Sequence, residues 1–147
     1  PVVTPLSNGL TMAHQMALAV LYEAGTPSMA DYSETYANPE INALYKSIPA
    51  RHDETVFLCG EPDGYYVAAI RSGDEWFVAG INAVVVSTAT FDLSFLDDGE
   101  YDAQIYVSDA EDRNAIVRSS KTVSKTSTET VEMIRNGGFV YHLKKKA

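Results

Sequence analysis

Three histidines, one cysteine and twenty carboxylates are the side chains from which this 147-residue chain could build a reactive site. A nucleophile needs a base within hydrogen-bond reach. His14 lies in an apolar helical run, His52 precedes the first strand-like segment and His142 sits in the last, and none stands in a motif that pairs it with Ser or Cys. The lone Cys59, in "ETVFLCG", has no disulfide partner and reads as a buried, inert thiol. "DAEDRN" gathers Asp109, Glu111, Asp112 and Asn114, hard oxygen ligands of the kind calcium takes. The EF-hand pattern fails, because Asn114 stands where its turn glycine belongs and Ser120 where its closing Glu belongs. We read the cluster as a solvated acidic turn, and "LDDGEY", with Asp97, Asp98 and Gly99, in the same way.

Glycoside hydrolysis requires two carboxylates held roughly 5–10 Å apart across a cleft. Here the acids fall in turns and at strand ends, which keeps them solvated and separate. No glycine-rich phosphate loop occurs. The sequence thus offers no catalytic, cofactor-binding or metal-ligating residue. Sugar recognition through aromatic platforms is the alternative, with Trp76, Tyr65, Tyr66, Tyr106 and Tyr141 of suitable type. Trp76 stands beside Phe77 in "EWFVAGIN", where one of the two must face a core, so packing is the favoured role.

The elements that would position these residues fall into two parts. Up to Pro49 the chain reads as helix and loop. "TMAHQMALAVLYEAG" is a helix capped by Ser7 and ended by Gly25, with Leu10, Ala13, Ala17, Val20 and Leu21 on one face. Met12, Met16, Leu18, Ala19 and Tyr22 cover most of the others, leaving His14, Gln15 and Glu23 to break the apolar cover. An ordinary surface helix keeps one side polar, so this one belongs inside a larger protein or against a partner. "TPSMADYSETYAN" is a turn-rich connection to "NPEINALYKSI", a second helix with Asn38 as N-cap, Pro39 at its first position and Ile41, Leu44, Tyr45 and Ile48 on its apolar face.

From Ala50 the pattern changes to short runs rich in Val, Ile, Thr, Tyr and Phe, about eight strands in all. "RSGDEW" and "RNGGFV" read as hairpin turns, and Ala83–Val86 as a bulged turn or protected edge. In "EYDAQIYVSD", Tyr101, Ala103, Ile105 and Val107 share one face. The expected class is mainly β: an antiparallel β-sandwich preceded by two α-helices. The formal net charge of −9, with Lys144, Lys145 and Lys146 as the one basic run, argues against nucleic acid as a partner. No apolar stretch approaches the ~20 residues of a membrane span. The opening "PVVTPLSNG" carries no signal-peptide pattern and suggests a processed or excised chain.

Taken in order, these segments resemble the C-terminal end of glycoside hydrolase family 97, a family of α-glucosidases and α-galactosidases. "TMAHQMALAVLYEAG" is similar to the family's Thr-x-Ala-His-Gln-x-Ala helix, and "MADYSETYANPE" to its Ala-Asp, Tyr and Pro-Glu segment. "SIPARHDETVFLCGEPDGYYVAAIRSGDEWFVAGIN" resembles a run from Val-Pro through Trp-Asp-Glu-Thr to a Gly-Asp-x-Trp hairpin, and "LSFLDDGEYDAQIY" and "NGGFVYHL" match its closing pieces. His52 departs from the family's Trp, and Arg135 and Asn136 from its usual turn.

The resemblance implies that residues 1–49 are the terminal helices of a (β/α)8 catalytic barrel and that 50–147 are the C-terminal sandwich. It places the catalytic carboxylates and a calcium site upstream, so no catalytic role passes to any residue here, His14 and Gln15 included. The expected function is a non-catalytic module that caps the barrel and supports self-association, with a homodimer as the expected oligomer; the alternative is a carbohydrate-binding sandwich with weak sugar contact. Neither glucoside nor galactoside preference is implied. A bacterial periplasmic or extracellular location is expected from the resemblance alone.

Overall fold

The alternating pattern of the later segments produces strands and the capped apolar runs produce helices. In chain order they are α1 (Met12–Leu21), α2 (Ser33–Ala37), α3 (Pro39–Ser47), β1 (Glu54–Glu61), β2 (Tyr65–Ser72), β3 (Glu75–Asn82), β4 (Ser87–Asp92), β5 (Glu100–Ser108), β6 (Ile116–Ser124), β7 (Thr128–Met133) and β8 (Gly138–Lys145). The computed structural model describes residues 9–23, 33–83 and 85–147. Six strands form an antiparallel sheet in the order β1-β2-β3-β8-β5-β6, and β4 pairs with β7 in a second, two-stranded sheet.

Because side chains alternate across a strand, the large sheet has two apolar faces, and both are used. One face, with Val67, Trp76, Val78, Ala103, Phe139 and Tyr141, packs on Ala89, Phe91, Val131 and Met133 of the small sheet. The other, with Ile70, Phe77, Ala79, Tyr106 and Val140, packs under Met12, Met16 and Val20 of α1 and Ile41 and Leu44 of α3. The molecule is a sandwich with a third, helical layer. That is why β2, β3 and β8 read as nearly continuous apolar runs, the mark of strands covered on both sides. In β5, Tyr101, Ala103 and Ile105 face the small sheet as the alternation requires.

Several local expectations change. Ser7 lies outside the described residues, as do Gly25 and the start of the connection, and the observed cap of α1 is Thr11, whose side chain accepts from the His14 N–H at 3.1 Å. Within that connection Ser33–Ala37 winds into a short third helix, led by Glu34 in its first turn. Asn38 caps α3 as its residue type dictates, accepting from the N–H groups of Glu40 and Ile41. Gly73 and Asp74 make the two-residue turn between β2 and β3, with Gly73 at φ +61°, where a side chain is disfavoured.

Asn136 (φ +56°) and Gly137 form a turn but not a hairpin. β7 pairs with β4, whereas β8 lies between β3 and β5, so the turn carries the chain from one sheet to the other. The described residues between β3 and β4 make the same crossing in the opposite direction, which is why an apolar run there ends exposed at Val85 and Val86.

Candidate functional site: the helix-covered face of the sheet

Docking of α1 depends on one glycine, and a second lets the sheet pack beneath it. A Cβ at Gly138 would lie 2.8 Å from both the Cα of His14 and the carbonyl oxygen of Gly80, closer than packed carbon atoms approach. On the opposite face a Cβ at Gly80 would overlap the ring of Phe139. Where the helix meets β8, backbone bonds fix it: the Thr11 N–H donates to the Asn136 carbonyl at 3.1 Å and the Met12 N–H to that of Arg113 at 2.7 Å. The Thr11 hydroxyl lies 2.8 Å from that of Ser108, and the Ser108 oxygen accepts from the Gly138 N–H at 3.1 Å.

His14 belongs to this seam. Its Nδ1–H donates to the Gly137 carbonyl at 2.9 Å, across 123 residues of sequence. Burial holds its pKa below the ordinary 6.5, although the carbonyls of Gly137, Asn136 and Asn82 oppose the shift. A neutral imidazole with one nitrogen committed to a carbonyl pins a helix, and among the described residues its ring bonds to no hydroxyl or thiol.

His142, expected on an outward strand position, is buried instead. It stacks on Phe77 with ring centroids 4.4 Å apart and planes 8° from parallel, and its Nε2–H donates to Glu75 Oε2 at 2.9 Å. Burial lowers its pKa against the pull of Glu75. Burial alone would raise the Glu75 carboxyl, but contacts with His142 and Lys144 outweigh it and the group stays below its ordinary range. A neutral imidazole beside a carboxylate closes the rim of the core.

On the sandwich side, the Tyr141 hydroxyl donates to Glu129 Oε2 at 2.9 Å, and Lys121 makes an ion pair with the same oxygen. Glu129 is nearly fully buried, and these two donors satisfy it. Burial and the Glu129 charge push the Tyr141 phenol well above its usual range.

The aromatic platforms are largely consumed by packing. Trp76 packs on Phe95 at 4.7 Å between centroids, Tyr106 lies buried with the Arg118 guanidinium 5.5 Å from its ring, and Tyr141 meets Phe91 and Phe139 edge-on. Tyr65 is half-buried, and Tyr66 is the exposed member of the set. Cys59 is half-buried on edge strand β1 rather than enclosed, with its thiol pKa raised by burial. His52 keeps a buried Nε2 without a partner.

Asp109 Oδ1 accepts from the N–H groups of Glu111 and Asp112 at 2.8 and 2.9 Å, and Asp112 Oδ1 from that of Asn114 at 2.9 Å. These oxygens are spent on the turn. Among the described residues no three His, Cys, Asp or Glu side chains converge as a metal site would require.

What the surface does present is an apolar helix on a sheet, reproduced as a unit elsewhere. The family model described as "Glycosyl-hydrolase 97 C-terminal, oligomerisation" matches residues 51–144. This chain belongs to that family. The family 97 C-terminal region seen here is 32% identical over 145 residues to a retaining alpha-galactosidase of Bacteroides thetaiotaomicron, covering 95% of this chain and 22% of that protein. It is 33% identical over 133 residues to a probable retaining alpha-galactosidase of Streptomyces bingchenggensis, covering 90% of this chain and 20% of that one.

Among solved structures, a glycoside hydrolase family 97 enzyme from Pseudoalteromonas sp. strain K8 matches with a TM-score of 0.90 at 21% identity, over 100% of this chain and 26% of that one. A beta-arabinopyranosidase matches with a TM-score of 0.76 at 25% identity, over 90% of this chain and 21% of that one. The Pseudoalteromonas match speaks to fold, and it takes in the helices together with both sheets. The chain spans about a fifth of the length of its curated relatives, and the catalytic part of those enzymes lies outside it.

Proposed function

We propose that this family 97 region serves an α-glycosidase acting on α-galactosides or α-glucosides, capping the catalytic barrel and supporting self-association. In this reading residues 1–49 close the barrel, 50–147 form the appended sandwich, calcium is held by the barrel, and the enzyme works in the bacterial periplasm or outside the cell. The names of the curated relatives, both alpha-galactosidases, support the galactoside half of this reading, and the family description supports association.

The observation that carries the proposal is the outer side of α1. Met12, Met16, Ala17 and Val20 are spent on the sheet, yet Leu18, Ala19 and Leu21 remain partly exposed and Tyr22 is 68% exposed. Covering apolar surface is favourable by about 25 cal/mol per Å². A helix that belongs at once to the last turn of the barrel and to the third layer of the sandwich couples the two rigidly.

Leu18→Glu tests this. In the isolated chain the change is expected to stay within about 0.5 kcal/mol, as for an ordinary surface substitution. In the full enzyme it is expected to lower the melting temperature clearly and to loosen the C-terminal region. Equal effects in both would remove α1 as the seam. Light scattering of the enzyme over a concentration series tests association: an oligomer is expected, and a monomer at every concentration would overturn that part.

A further inference from the structure

The crossing from β3 to β4 presents two bare valines, Val85 at 50% exposed and Val86 at 64%. Its backbone is held on both sides. The Ala83 N–H donates to the Gly64 carbonyl at 2.8 Å, the Ala83 carbonyl accepts from the Asn136 N–H at 2.7 Å, and the Val85 carbonyl accepts from the side-chain amide of Asn82. A pair of apolar side chains displayed on a fixed backbone marks an interaction surface more strongly than scattered exposed residues do. On the neighbouring β1–β2 hairpin the exposed rings of Phe57 and Tyr66 lie 5.6 Å apart and add to it.

Charge is ordered around the valines. Because β3 runs between β2 and β8, three connections stand side by side at this end of the large sheet: the β1–β2 turn, the β3–β4 crossing and the β7–β8 turn. The first carries Glu61 and Asp63 and the last carries Arg135, all exposed. Among the described residues none of these three has an ion-pair partner. The apolar crossing thus has an acidic flank and a basic flank, and a twofold axis through the valines would set the acidic flank of each copy against the basic flank of the other. The surface is complementary to itself.

Resting on the self-association reading, we infer that a second copy of this chain docks here, valines on valines, with Arg135 of each copy facing the Glu61 and Asp63 positions of the other. The family description of oligomerisation attaches to residues 51–144, a span of strands that contains no helix, so the association surface is sought among the strands and their turns. A partner of one sign of charge would leave one flank unmatched, whereas a second copy matches both.

Light scattering of the full enzyme over a concentration series, with variants, decides it. Val86→Glu should weaken the dimer about tenfold or more, by burying a charge in the apolar centre. Arg135→Glu and Glu61→Lys should each weaken it by setting like charges together, and both losses should shrink as salt screens the contact. An equimolar mixture of those two variants should recover dimers, because in the mixed pair both flanks are matched again; a merely structural role for either residue would not give that recovery. A dimer indifferent to Val86→Glu and Arg135→Glu would overturn this inference and leave self-association standing, and a loss that mixing fails to restore would overturn the pairing of the flanks. An enzyme monomeric at every concentration would remove the self-association reading and this inference with it.

Discussion

At the scale of single residues, two buried imidazoles set the response to acid. His14 and His142 are held below their ordinary 6.5 by burial, so the unfolded chain takes up protons there before the native one does. Stability is expected to fall as pH drops through about 6.5, because the unfolded state then binds more protons. A second loss should begin near the ordinary carboxylate value of 3.8, as Asp53, Asp98 and Asp109 lose the N–H and ammonium partners that hold their acids low. Urea midpoints across pH check both steps, and His142→Gln should flatten the first. Tyr141 acts in the opposite range: its raised pKa means that stability declines as pH climbs past 10. Phe77, buried beneath α1 and stacked on His142, anchors the helical core, and Phe77→Ala is expected to cost about 3–5 kcal/mol in denaturant unfolding.

At the scale of elements, the seam between α1 and β8 decides whether the helical layer stays in place. Gly138→Ala would force a carbon against the His14 backbone, so exchange of the α1 amides should rise while those of the β4–β7 pair change little. Thr11→Ala should cost about 1–2 kcal/mol by removing the cap. The strands themselves were legible in the sequence, because each is short, β-branched and bounded by Gly, Asp or Asn. The α3 cap was legible because Asn-Pro states it chemically. Pairing was not: Asn136-Gly137 has the residues of a hairpin turn, and nothing local says that the strand after it joins another sheet. The setting of Asn82 was equally hidden. Asn82 reads as an ordinary strand end until Met133 and Ile134, some fifty residues on, supply the carbonyls that claim its amide nitrogen. His142 reads as outward because of its residue type, although the apolar run around it in β8 is that of a strand covered on both faces.

At the scale of the whole molecule, the chain is expected to leave aryl α-galactosides and aryl α-glucosides untouched on its own, since it spans only about a fifth of its relatives' length; measurable turnover by the purified chain would contradict this. Its earliest described helix is held by its latest strand. The His14–Gly137 bond spans 123 residues, so on a ribosome adding about 5–20 residues per second α1 emerges roughly 6–25 s before its seat is complete. Until then Met12, Met16 and Val20 have only the β2 and β3 part of their cover. A transcript cut short before Gly137 would release a polypeptide whose most apolar segment has only part of its seat, and a quality-control protease recognising α1 would destroy the incomplete product while leaving the finished one alone.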